Sequence, residues 1–148
     1  MIFYAKDFGI LPDSETAEKL DTVFSEMAKT DDEKTLVFEK GVYRIDLDNC
    51  KTRTLYITNT VGDKEFSEKE EEKPHKSKVG MYLNGIKNLT IQGNGSTFLV
   101  DGHCTNIALE NCENITIDGI ELDTVNPPLH EMTVVEKKGC LLYTSPSP

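Results

Sequence analysis

Asp101 and Asp123 each close a near-repeated phrase of the chain, and His103 stands two positions after the first of them. The phrases are KNLTIQGNGSTFLVDG at Lys87–Gly102 and ENITIDGIELDT at Glu113–Thr124. If one phrase lies over the other, the two aspartates fall at the same corner of successive layers, roughly 4.8 Å apart. Stacked carboxylates without counter-ions favour one protonated member, which suits an acid catalyst or a sugar-binding subsite. Glycoside hydrolysis uses two carboxyl groups, about 5–5.5 Å apart for retention and about 6.5–9.5 Å apart for inversion. His103 could hydrogen-bond a sugar hydroxyl. Asp101, His103 and Asp123 are therefore the candidate substrate contacts. A turn role is still the stronger reading of each aspartate, and of Asp118, because Asp ends strands by hydrogen-bonding its own backbone. A lone corner histidine is more often simply exposed.

Other chemistry-bearing residues are less informative. His75, His103 and His130 have no metal-ligand spacing, so no metal and no cofactor is expected. Tyr43, Tyr56 and Tyr82 could stack on sugars, but tyrosines on strands commonly pack. Asn88, Asn94 and Asn114 begin Asn-X-Ser/Thr sequons, and tight turns or an asparagine ladder explain them without glycans. No phosphate-binding glycine loop and no nucleophile elbow is present. Cys50, Cys104, Cys112 and Cys140 match neither a zinc pattern nor a dense disulfide framework and read as small buried hydrophobes.

The elements that position these residues follow from periodicity. IFYAKDFGI (Ile2–Ile10) reads as a short strand ending at Gly9. Asp13 or Ser14 is the N-cap candidate of an amphipathic helix over about 14–29, with Ala17, Leu20, Phe24, Met27 and Ala28 on one face. TLVFEKGVYRI (Thr35–Ile45) is strand, turn, strand, with Gly41 turning. TLYITNT (Thr54–Thr60) is a further strand, and the charged stretch at about 62–78 is a solvated loop.

From about 79 the rungs repeat. Asn88 aligns with Asn114 at a spacing of 26, and Phe98 with Ile120 at 22, so NGST (Asn94–Thr97) is an insertion in the first copy. Between the copies lies a third strand, NIALEN (Asn106–Asn111). Such a unit cannot bury its apolar face alone but can do so on a copy of itself. Leu89 should meet Ile115, Ile91 should meet Ile117 and Val100 should meet Leu122. The predicted fold is all-β, a parallel β-helix whose open first coil is plugged by the helix. An antiparallel sandwich is the alternative, and it requires no fixed period.

The 148 residues carry a net charge of −10 and a hydrophobic fraction of 37%. Such an acidic chain is repelled by nucleic-acid backbones and by anionic membrane surfaces. No apolar run reaches membrane-spanning length, and the N-terminus lacks the features of a signal peptide. The expectation is a cytoplasmic protein, or a start upstream of Met1. The last nine residues, CLLYTSPSP, match nothing before them and read as a translated sequencing adapter, so 140–148 is expected to be foreign and 1–139 the front part of a longer protein.

The opening AKDFGILPDSET, the helix and TLVFEKGVYRI resemble the start of pectin-lyase-like right-handed parallel β-helix proteins. A narrower likeness covers most of Lys6–Gly139. LYITNT, the KNLT and ENIT rungs, VDGH and the Asn126–Pro127 turn resemble bacterial exo-acting α-1,3-galactosidases. These enzymes remove terminal galactose, as from blood-group-B-type glycans. VDGHC replaces that family's His-Gly-Arg-Met segment, so its arginine is absent. The resemblance implies a glycan or oligosaccharide substrate, an inverting two-carboxylate mechanism and a secreted or periplasmic location. It also implies catalytic acids on later coils, beyond Gly139, with none in this chain. A polysaccharide lyase of the same fold is the alternative, and would carry a calcium-binding carboxylate cluster on a later coil. A non-catalytic β-helical glycan-binding or adhesion module is the third reading.

Overall fold

The structure, a computed structural model, describes residues 1–55, 75–125, 132–138 and 141–146, the last two segments by their backbone. Ten strands and one α-helix follow in order. They are β1 (Ile2–Tyr4), α1 (Ala17–Met27), β2 (Lys34–Val37), β3 (Val42–Asp46), β4 (Thr52–Leu55), β5 (His75–Asn84), β6 (Lys87–Asp101), β7 (Thr105–Glu110), β8 (Glu113–Thr124), β9 (Met132–Lys138) and β10 (Leu141–Pro146). The described residues are thus strand-dominated, and most of the pairings are parallel, as all-β stacking of like segments requires. Tyr56, the charged stretch up to 74, Asn126–Pro127, His130 and Cys140 lie outside the described residues.

The long strand β6 organises the layers. β2 and β3 lie end to end along one edge of it and β8 along the other. Leu89 pairs with Ile115 and Ile91 with Ile117, running parallel, so the repeated phrases do stack and the antiparallel sandwich is ruled out for them. The same 26-residue step joins β5 to β7, where Val79 pairs with Thr105 and Met81 with Ile107. The step from β2 and β3 to β6 is 55 residues (34 to 89, and 42 to 97).

Beyond the corner the expected register shifts by two. Phe98 pairs with Leu122 and Val100 with Thr124, so Val100 does not meet Leu122. The first copy rounds the corner on Gly93, Asn94 and Gly95, the latter two with φ of 53° and 76°, where the second copy uses Gly119 alone, φ 66°. The insertion is therefore two residues, not four. An even shift leaves each side chain facing as before, so the inward set survives.

Inward side chains form columns across successive strands: Leu36, Ile91 and Ile117; Tyr43, Phe98 and Leu122; Ile45 and Val100. Tyr43 stacks on Phe98 at 5.2 Å between ring centres, and Phe38 meets both rings edge-on. Such pairs contribute about 0.5–1.5 kcal/mol each beyond burial. Tyr43 is fully buried and donates its hydroxyl to the Glu39 carbonyl, so it packs and touches no solvent-borne ligand.

β2 and β3 do not pair with each other, so Thr35–Ile45 is not a hairpin. The amide of Phe38 donates to the Gln92 carbonyl, and that of Thr97 to the Gly41 carbonyl, carrying the β6 ladder around the bend. Gly41 is needed for close approach: a Cβ there would sit 2.6 Å from Pro12 Cβ. The first strand is also shorter than Ile2–Ile10. It ends at Tyr4, and Ala5–Phe8 form a 3₁₀ turn closed by Gly9 at φ 73°.

α1 buries Ala17, Leu20, Val23, Phe24 and Met27 in the same core as Tyr43, Met81 and Leu89. It packs against β3 and β5. Its N-cap is Thr16, not Asp13 or Ser14, because residues before it serve another ladder. The Asp13 amide donates to the Val42 carbonyl, the Arg44 amide to the Ser14 carbonyl, and the Thr16 amide to the Arg44 carbonyl. Glu15 Oε1 then accepts from the Ala17 amide at 2.8 Å. Lys34, 1% exposed, stands where the column continues as Leu89 and Ile115. Its ammonium donates to the carbonyls of Thr30, Asp32 and Lys87, which satisfies all three of its protons. No helix among the described residues is long and apolar enough to cross a membrane.

Candidate functional site

The carboxylates converge at the end of β3 and β6. Asp46 and Asp101 are direct partners in that parallel ladder. Asp123 is not stacked on Asp101, as the sequence suggested; the two-residue corner shift places it opposite Leu99. There, within β8, Asp123 Oδ1 accepts the amide of the next residue, Thr124, at 2.8 Å. Asp101 and Asp123 share the outward face as diagonal neighbours only.

An open cleft of about 550 Å³ lies at this corner, lined by Asp46, Leu47, Asp48, Asn49 and Asp101. Its walls are fixed by local geometry. Leu47–Asn49 form a 3₁₀ turn directly after β3. Gly102, at φ 114°, presses on that turn, so that a Cβ there would lie 2.9 Å from Leu47 Cβ. Lys78 Nζ donates to the Leu47 carbonyl at 2.6 Å and stands 3.8 Å from Asp48. Arg44 stands 3.7 Å from Asp46 Oδ1, an atom shielded from solvent with no hydrogen-bond partner. Behind the corner, Cys50 Sγ contacts the Asp46 carbonyl. Burial pushes the Cys50 thiol up to about 11. His103 is exposed beside the cleft mouth in sequence but is not among its lining residues.

The arrangement offers carboxylate acceptors with nearby cations, which suits hydroxyl groups better than phosphates. Among the described residues no three or more His, Cys, Asp or Glu side chains are placed to hold a metal ion. Asp46 and Asp48 escaped the sequence reading, although a signal existed. Tyr43-Arg44-Ile45-Asp46 repeats the aromatic–X–aliphatic–Asp order of Phe98-Leu99-Val100-Asp101, and the structure pairs the two segments residue for residue.

The sequon asparagines are corner residues. Asn88, Asn94 and Asn114 have φ of 53°, 53° and 55°. Asn114 Nδ2 donates to Asn88 Oδ1, Asn88 Nδ2 to the Asp31 carbonyl and Asn94 Nδ2 to the Phe38 carbonyl, each at 2.8 Å. Tyr82 lies under the Arg53 guanidinium, 4.3 Å from the ring centre, and donates its hydroxyl to Glu110. That carboxylate raises the Tyr82 phenol above its ordinary value. Arg53 in turn is held by both oxygens of Asp21 on α1, at 2.8 Å each.

No family model matches the chain. It is similar to alpha-1,3-galactosidase A of Bacteroides thetaiotaomicron, 36% identical over 103 residues, covering 70% of this chain and 17% of that protein. It is 34% identical over 127 residues to alpha-1,3-galactosidase A of Bacteroides fragilis, covering 84% of this chain and 20% of the relative. With alpha-1,3-galactosidase B of Phocaeicola vulgatus the identity is 25% over 137 residues, 88% of this chain and 21% of the relative. The chain therefore spans about a fifth of the length of the curated relatives it matches.

Proposed function

Because the chain belongs to the alpha-1,3-galactosidase family of glycoside hydrolases, we propose that the protein removes terminal α-1,3-linked galactose from glycans by an inverting, two-carboxylate mechanism. The observation that carries this reading is the identity of 36% over 103 residues. The parallel registers support the architecture proposed with it, the first coils of a right-handed parallel β-helix. In that architecture α1 is the plug of the first coil, with β1 and Asp13–Thr16 laid on β2 and β3 as short edge segments. The β8 side is different. Ile115, Ile117 and Ile120 are only partly buried, and Leu109, Leu122 and Val125 are exposed, as suits a layer on which further coils stack.

Inversion needs two carboxyl groups about 6.5–9.5 Å apart, with room for a water between them. Asp46 and Asp101 stand on adjacent strands, roughly 4.8 Å apart at the backbone, and serve in this proposal as hydroxyl acceptors. In this proposal Asp101, which lines the cleft, contacts substrate together with His103 and Asp123, which are not among the lining residues, and the catalytic pair lies on coils beyond Gly139. Residues 140–148 are taken as translated adapter.

A chimera tests the reading. The matched 103 residues of this chain replace their counterpart in the B. thetaiotaomicron enzyme, and the product is assayed on a terminal α-1,3-galactoside with the anomer followed by NMR. Release of galactose with inverted configuration is expected. A folded chimera that releases no galactose, or releases it with retention, overturns the proposal. The 148-residue chain alone should show no turnover, and turnover would contradict the placing of the acids.

A further inference from the structure

Lys34 opens β2 and pairs with Leu89, which pairs in turn with Ile115. The lysine stem continues that apolar column, and the residue is 1% exposed. Its head reaches a point where three backbone carbonyls meet. Nζ lies 2.5 Å from the Thr30 oxygen, 3.1 Å from that of Asp32 and 2.8 Å from that of Lys87. Among the described residues its hydrogen-bond partners are these three neutral groups. Thr30 and Asp32 belong to the loop that leaves α1, and Lys87 opens β6. The Asp31 carbonyl between them accepts Asn88 Nδ2 at 2.8 Å. The loop thus turns three successive carbonyls onto donors of β2 and β6.

A cage of this kind selects its occupant. Mg²⁺ demands octahedral oxygens at about 2.0–2.1 Å, and Ca²⁺ takes about six to eight, carboxylates among them, at about 2.3–2.6 Å. Three neutral oxygens at 2.5, 2.8 and 3.1 Å are too few for either ion and leave a buried double charge uncompensated. A singly charged ion suits them, because carbonyl dipoles can replace its water shell. Ammonium and potassium are such ions and are close in size. We propose that the carbonyls of Thr30, Asp32 and Lys87 form a binding site for a monovalent cation of potassium or ammonium size, which Lys34 fills with its own tethered ammonium. The loop side of the cage is near solvent: Thr30 is half-buried, and Asp31, Asp32 and Glu33 are exposed. These three acids concentrate cations there, so a free ion can enter once the lysine head is removed. The occupant ties the exit of α1 to the start of β6, and occupancy is therefore read as stability. None of these residues lines the cleft at Asp46 and Asp101, so the site stands whether or not the protein cleaves a glycan.

Lys34→Ala and Lys34→Val test this in the full chain. Alanine empties the column position as well as the cage, whereas valine removes the head and keeps a branched side chain suited to a strand. Thermal midpoints are measured in the chlorides of lithium, potassium, ammonium and tetramethylammonium at equal ionic strength. In lithium both variants should melt below the parent. Potassium and ammonium should raise their midpoints saturably, by about 3 °C or more. Tetramethylammonium, too large for the cage and without a proton to donate, should do no more than lithium. Lys34→Met, whose stem still blocks the head space, should melt low in every salt, and the parent should not distinguish the four cations. A Lys34→Val chain whose midpoint, or whose folding, is indifferent to potassium and ammonium overturns the proposal. An equal rise in the parent or in Lys34→Met overturns it as well, since the ion would then act elsewhere.

Discussion

Asp101 sits directly across the parallel ladder from Asp46, two like charges in adjacent strands at the mouth of an open cleft. Like charges placed directly opposite destabilise a sheet, and among the described residues the ion pair that offsets them is the Arg44 guanidinium, 3.7 Å from Asp46. A position that breaks a local rule without an evident structural gain is where function is expected. Asp101→Asn should therefore stabilise the chain, by about 0.5 kcal/mol, given the small size of exposed charge terms. Urea unfolding at low and high salt checks this: the gain should shrink as salt screens the pair. A loss of stability at low salt would show that Asp101 is held by an attraction, not strained by repulsion.

Gly93 tests the stacking itself. A Cβ at this position would lie 2.4 Å from both the Gly119 carbonyl oxygen and Ile120 Cγ1, in the strand one layer away. The backbone there cannot move without breaking the β6–β8 ladder. Gly93→Ala should cost about 1–3 kcal/mol, the range of overpacked cores, while Gly85→Ala meets no atom within 4 Å and answers only to its φ of 67°. Denaturant midpoints of the two variants, compared with the parent, measure the difference. A Gly93→Ala chain as stable as the parent would mean the layers are not in contact.

How much of this was legible beforehand depends on the kind of signal. The rung alignment of Leu89 with Ile115 could be read because both copies keep one period and one face. The corner could not, since Asn94 and Gly95 in left-handed conformations add two residues where text alignment suggested four. Counting four residues stacks Asp123 on Asp101, where the ladder instead sets Asp123 opposite Leu99 and Asp46 opposite Asp101. Val23 falls outside the stripe that spacing predicts although it is fully buried, and Lys34 carries no sequence mark of a core residue. Nothing in a lysine's identity announces that three carbonyls will surround it. The pairing of Arg53 with Asp21 crosses 32 residues and two elements, beyond the reach of any local pattern.

Asp21 joins α1 to the sheet. It takes Arg53 through both oxygens and Lys51 at 2.6 Å, and Arg53 packs over Tyr82. Arg53 Nε is already shielded without a partner, so removing the carboxylate leaves a half-buried guanidinium poorly satisfied. Asp21→Ala should cost about 1–3 kcal/mol. Lys51→Ala, losing an exposed pair, should cost under about 1 kcal/mol. Thermal unfolding of the two single variants and the double variant separates the contributions, and equal losses for Asp21→Ala and Lys51→Ala would refute the ranking.

Cys50 gives the fold a basic limit. Its thiol lies 7% exposed beneath the acidic corner, and burial, followed by the charges of Cys104 and Glu15, raises it from the ordinary thiol value of 9.0 to about 11. Because the folded chain holds this proton more tightly than the unfolded chain, its contribution to stability is whole below about pH 9 and is lost as the pH rises towards 11. The thiol should also resist alkylation at pH 8, since the thiolate is the nucleophile. Cys50→Ala should flatten the decline of stability between pH 9 and 11, and iodoacetamide labelling at pH 8 should reach Cys50 only after denaturant is added. Rapid labelling of Cys50 in the native chain at pH 8 would mean that the corner opens, and that the cleft at Asp46 and Asp101 is deeper than its static shape.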